Sequence, residues 1–183
     1  MTDEELAAAI LQPHFDAVRD EFIRYSPEPG VKLDRLRKTK IIVDKSIHNS
    51  RRHFAACRDD GMQVMCAPQI VVALAVEQMV TILAHEFGHA SDMAYPGQWV
   101  VVRPGTAHQK AVWIGESDDR RAVQWRERLW HKRSRDEIEW TADAIAELVT
   151  GRKIHYCGDC VLQCFAPVEG APMKHIRRPK GLR

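Results

Sequence analysis

The longest unbroken apolar run in this 183-residue chain, Ile70–Val76, is seven residues long. A membrane-spanning helix needs about 20, so the sequence offers no such span. A strong field of one sign is also missing, because the formal net charge is only +2. Five cysteines is an odd number, and a chain of this length does not need a disulfide framework. Reduced thiols are the expectation. Met1-Thr2-Asp3-Glu4-Glu5 puts acid where a secretory leader would carry base. The expected setting is therefore cytoplasmic, with a virion as the alternative, and no membrane partner is expected. Internal repeats and low-complexity tracts are absent. What remains is 45% apolar and 28% charged residues, enough to bury one core.

The charge is unevenly spread. Residues 1–30 hold seven acids and two arginines, net −5, and residues 31–55 hold eight Lys/Arg and two Asp, net +6. Lys174–Arg183 adds five positive charges and no acid. Such runs usually form solvated faces. Nucleic acid is the lesser reading, since neither stretch has the aromatic interleaving of a single-strand binder. A protein partner for the basic tail is a further option.

Residues 3–11 and 13–25 read as helical, with Pro13 starting the second piece. Ser26-Pro27-Glu28-Pro29-Gly30 stops that unit. Lys40–Ile47 has the β-branched content of a strand. His53–Arg58 and Met62–Ala67 read as a hairpin around Asp59-Asp60-Gly61. The second of these strands leads almost directly into a helix and should lie inside the sheet, leaving the first as the outer strand. Small Ala55 and Ala56 on that outer strand are candidate substrate-binding positions, because an extended peptide can add to a free edge. Cys57 and Cys66 lie in this hairpin as possible cross-strand neighbours.

A helix is predicted from about Val72 to Met93, with Leu74, Ala75, Ile82, Leu83 and Ala84 in its apolar set, ended by Tyr95-Pro96-Gly97. Residues 98–118 read as mixed strand and loop. Asp119–His131 reads as helix. Ser134–Thr150 is a further helix, with Ser134 and Glu137 as a capping box and Gly151 as its stop.

The chemistry sits in His85-Glu86-Phe87-Gly88-His89. Residues i and i+4 share one helix face about 6 Å apart, so two imidazoles can converge on one metal ion. Glu86 can then reach a water at that metal. A catalytic zinc takes three protein ligands and keeps one open position. The later helix carries Glu139-Trp140-Thr141-Ala142-Asp143. An antiparallel pairing could bring Glu139 to the metal. Asp143 could then accept the free ring N–H of a ligand histidine. Asp136, Glu137 and Glu147 compete with Glu139, but none has a second acid so placed beside a small residue.

HEFGH followed by E-x-x-A-D resembles the gluzincin branch of zinc peptidases, in particular the single-domain minigluzincins. The resemblance covers roughly residues 40–150. It implies an α+β, zincin-like single domain, with a small mixed sheet packed on an active-site helix and a second ligand-bearing helix. It also implies one zinc per chain held by His85, His89 and Glu139, with Glu86 as general base in the hydrolysis of peptide or protein substrates. The metzincin pattern is not met, since Asp92 and Tyr95 stand where it wants Gly and His or Asp. Tyr156, His155, His131 and Tyr95 are the candidates to steady the oxyanion. In outline, residues 1–30 form an N-terminal helical segment, 31–164 the metallopeptidase domain and 165–183 a basic extended tail.

Cys157, Cys160 and Cys164 give three of the four ligands of a structural zinc, with His155 or Cys66 as a fourth. The expectation is free thiols. The alternative to an endopeptidase is a non-catalytic zincin-fold module, structural or regulatory, phage-related or associated with nucleic acid.

Overall fold

Apolar residues at Ala7, Leu11, Phe15, Val18 and Phe22 recur at helical spacing, and all five are buried along one face of the first helix, α1 (Asp3–Arg24). The computed structural model describes residues 2–31, 33–50, 55–58, 61–106 and 108–154, without side chains at 48–50. A Thr2–Glu5 capping box starts α1. Two helical pieces were expected on either side of Pro13, but α1 is continuous, with Pro13 inside it. The missing N–H costs one internal bond. The unbroken buried stripe on both sides of the proline holds the axis together.

The chain then makes a short 3-10 turn (Asp34–Lys38) and enters β1 (Lys40–Val43). The strand is shorter than the expected Lys40–Ile47. The Asp44 carboxylate accepts the Ser46 N–H at 2.7 Å, and this local turn diverts the backbone into a second 3-10 turn (Lys45–Ser50). The hairpin follows as β2 (Ala55–Arg58) and β3 (Gln63–Cys66). The sheet order is β1-β3-β2. β3 is central, parallel to β1 and antiparallel to β2. The expected inner and outer strands are therefore the observed ones.

Instead of one helix from Val72, a short α2 (Ile70–Ala73) precedes α3 (Val76–Ala94). Leu74 is extended between them (φ −126°, ψ 147°). The Gln78 side chain accepts the Ala75 N–H at 2.9 Å and starts α3. Ala75, expected in the apolar set, is exposed at this break. Residues 98–118 resolve into an antiparallel pair, β4 (Trp99–Val102) and β5 (Lys110–Trp113). After it come α4 (Arg120–His131), capped by Asp119, and α5 (Arg135–Thr150). Ser134 and Glu137 form the expected capping box, and Gly151 ends α5 at φ +68°.

Among the described residues this is a small mixed α+β fold of five α-helices and two small sheets. α3 is its centre. It packs on α1, α5, β2 and β3. Phe87 is fully buried, with its ring centroid 5.0 Å from Phe15 and 5.5 Å from Phe22. The N-terminal helix and the motif-bearing helix thus share one core. Removing such an aromatic costs about 3–5 kcal/mol. No helix of the described residues is long and apolar enough to cross a membrane.

Candidate metal centre

α3 and α5 carry the site, and a glycine sets how closely they meet. A Cβ placed on Gly88 would lie 2.1 Å from the Ala142 carbonyl oxygen and 2.9 Å from Ala142 Cα. Only a residue without a side chain allows this approach, against the roughly 1 kcal/mol that glycine costs in a helix interior. Gly88 precedes His89, and Ala142 precedes Asp143. The contact therefore brings the two polar pairs face to face.

His85 Nε2 lies 3.0 Å from His89 Nε2 and 3.1 Å from Glu139 Oε2. His89 Nε2 lies 3.3 Å from the same carboxylate oxygen. His85 and His89 are buried and Glu139 is half-buried. His85 Nδ1 donates to Asp143 Oδ1 at 2.6 Å, which leaves the lone pair on Nε2 for the shared centre. Three donor atoms thus converge on one point. A tetrahedral ion with bonds of 2.0–2.1 Å has ligand–ligand edges of about 3.3–3.4 Å. The observed spacings of 3.0–3.3 Å reach this at their upper end and are slightly shorter at their lower, and the two nitrogens and one oxygen suit a borderline divalent cation. His85, His89 and Glu139 are close enough to hold a metal ion.

The electrostatics agree. Burial pushes the His85 imidazolium toward the neutral form, yet its hydrogen bonds to Asp143 and Glu139 outweigh that and hold its pKa well above 6.5. Burial pushes Glu139 up, but hydrogen bonds from His85 and His89 and their charge hold it well below the usual carboxylate range. Both shifts favour positive charge at the shared centre.

Glu86 is buried on α3, beside the hairpin. Burial first, and then the Glu86 charge, pushes the thiols of Cys57 and Cys66 up. The two thiols are free. They are not opposite each other, as a cross-strand pair would be. Register puts Cys57 against Val64 and Cys66 against Ala55, so the cysteines are diagonal neighbours on one face. Ala55 is buried and Ala56 half-buried on β2. Tyr95 caps α3 and meets Trp113 edge-on at 5.5 Å between ring centroids. His131 is exposed at the end of α4 and packs on Trp130. Glu137 is committed to the Ser134 cap. His155, Tyr156, Cys157, Cys160, Cys164 and the 165–183 tail lie outside the described residues.

Sequence reasoning missed a clamp between the ligand helices. Arg133, in the α4–α5 link, donates through Nη2 to Asp92 Oδ2 on α3 and through Nη1 to Thr141 Oγ1 on α5 at 3.2 Å. Its Nε donates to the Trp130 carbonyl at 3.2 Å, and Trp130 Nε1 donates to Asp92 Oδ1 at 3.1 Å. The guanidinium also lies 5.0 Å from the Trp130 ring centroid. Asp92 follows His89 by three residues and Thr141 follows Glu139 by two, so the clamp locks the rotation of both ligand helices. Gly88 carried a usable signal, an isolated glycine inside a helical pattern. Asp92 and Arg133 carried none, because 41 residues separate them.

No protein family, curated protein or solved structure matches this chain significantly. The geometry of the site therefore carries the functional argument.

Proposed function

We propose that the chain is a zinc-dependent endopeptidase of zincin-like architecture, with the catalytic unit within residues 31–164 and one zinc per chain. The observation that carries this reading is the convergence of His85, His89 and Glu139 with 3.0–3.3 Å between donor atoms, directly beside the buried Glu86. A purely structural site has four protein ligands and no use for an adjacent base. Held by His85, His89 and Glu139, a zinc ion would supply Lewis acidity toward a carbonyl and toward water near neutral pH.

The chain's own residues do the rest. Asp143 holds the His85 ring by its Nδ1–H and keeps Nε2 free for the metal. The Glu86 carboxylate takes the proton of the attacking water and passes it to the leaving amine nitrogen. β2 pairs only with β3 among the described residues, and it packs against α3. Its outer edge can take an extended peptide by main-chain hydrogen bonds. Ala55 faces the core, so it would contribute main chain only, and half-buried Ala56 is small enough for close approach.

The test is metal analysis of the purified full chain, followed by digestion of an unbiased peptide library. Wild type should carry one zinc and cleave. Glu86→Gln should keep the zinc and lose cleavage by about 10²–10⁴-fold, the usual worth of a general base. A zinc-loaded wild type that cleaves nothing would leave the non-catalytic zincin-fold module as the better reading.

A further inference from the structure

Among the described residues α4 is the one helix of more than ten residues with no buried residue, and its two faces differ sharply. At 100° per residue, Ala122, Arg126 and Trp130 share the inner face, and Arg133 in the link that follows turns to the same side. All four are half-buried. Arg126 donates to the Gly115 carbonyl at 3.0 Å, and Trp130 and Arg133 hold Asp92. Arg121, Trp125, Arg128 and Lys132 share the opposite face, all exposed. Trp125 is 62% exposed and Leu129 beside it 46%. Residues 120–135 hold seven Lys/Arg and one acid, Glu127, which the helical period puts well off the Trp125 face. Among the described residues, Arg121, Arg128 and Lys132 make no ion pair. An indole flanked by three exposed cations therefore stands on a helix whose other side is fastened to the body of the protein.

We propose that the outer face of α4 binds single-stranded nucleic acid, with Arg121, Arg128 and Lys132 on phosphates and Trp125 stacked on a base. The pairing of exposed cations with an exposed indole selects this partner. A base needs only one flat π face, and stacking is tolerant of sequence. An interfacial membrane helix needs a broad apolar side, whereas here the apolar residues on the face are Trp125 and Leu129, set among cations. The site does not depend on the peptidase reading, because none of its residues belongs to the metal centre.

The test is fluorescence anisotropy of a labelled 20-nucleotide oligothymidylate titrated with the full-length chain from 50 to 200 mM salt. Three phosphate contacts predict a log–log slope near −2, a loss of about 20-fold over that range. Trp125→Ala should weaken binding by about 5- to 150-fold, and Trp125→Phe should restore part of it. Arg121→Gln/Arg128→Gln should flatten the slope by about 1.4. Lys38→Gln/Lys40→Gln, exposed on a separate basic stretch, should change neither. Circular dichroism melts of each variant control for folding. No binding at 50 mM salt would overturn the proposal. So would equal losses in the Lys38/Lys40 variant, or indifference to Trp125→Ala. Tighter binding to 7:3 phosphatidylcholine:phosphatidylserine vesicles would reassign the face to membranes. Displacement by polyglutamate at equal charge would reassign it to an acidic protein.

Discussion

Replacing Gly88 with alanine places a methyl group 2.1 Å from the Ala142 carbonyl oxygen. Ordinary contact begins near 3.4 Å, so α5 must retreat by about 1.3 Å at this point. The intrinsic helix preference favours alanine by about 1 kcal/mol, while overpacking of this kind costs about 1–3 kcal/mol. The net global cost is about 0–2 kcal/mol, which does not report on the metal site, so a melting curve alone is a poor probe. The metal site has no such compensation. Its donor atoms are 3.0–3.3 Å apart, and opening one side by about 1 Å exceeds what bonds of 2.0–2.1 Å can span. Gly88→Ala should therefore lose at least about 10-fold in zinc affinity, in the range caused by misoriented ligands. A competition titration against a chelator reads this directly, and a cobalt(II) spectrum reports whether the ligand field has changed. Unchanged zinc affinity in a folded Gly88→Ala protein would refute the idea that this contact sets the ligand geometry.

Asp143→Ala should weaken zinc binding by about 10–100-fold through the His85 ring, and Glu139→Ala should do worse because it deletes a ligand. The reverse ranking would mean the two acids have exchanged roles. Arg133→Met leaves Asp92 buried without its cation, which should cost about 3–5 kcal/mol, seen in urea denaturation and rescued in part by Asp92→Asn. Metal-free protein should show a stability plateau. His85 has its pKa raised in the folded state, so its contribution is complete below 6.5 and disappears as pH rises through the folded value. Glu139 has its pKa lowered, so its contribution is complete above 4.5 and disappears as pH falls through the folded value. Melts in chelator should thus decline above the plateau, whereas zinc should reverse that slope because it competes with the proton for the same lone pairs. Parallel pH profiles with and without zinc would count against a shared metal and proton site.

Local signals were legible because their causes lie within a few residues. The Ser134–Glu137 box, the Gly151 stop and the inner and outer strands of the hairpin all came from spacing and turn chemistry. So did the i,i+4 placement of His85 with His89 and of Glu139 with Asp143. Three boundaries failed, for different reasons, and one of them is the extended Leu74 that splits the helix expected from Val72. Pro13 promised a break that the buried stripe of α1 overrode, and the Asp44 turn cut short a run that strand propensity would have extended.

By itself the sequence determined which residues could bind a metal, because helical period alone sets which side chains share a face. It did not determine that those faces meet. That rests on the close packing of α3 on α5 at Gly88, where an added Cβ would lie 2.1 Å from the Ala142 carbonyl oxygen, and on Arg133 joining Asp92 to Thr141 across the α3–α5 seam. The outer face of α4 was hidden for a related reason. Its cations are diluted when charge is summed over a long window, and they separate from the rest only when the fold turns Arg126 and Arg133 inward and leaves Arg121, Trp125, Arg128 and Lys132 facing out. Contacts between residues far apart in the chain have no period to read, and only the packed structure decides them.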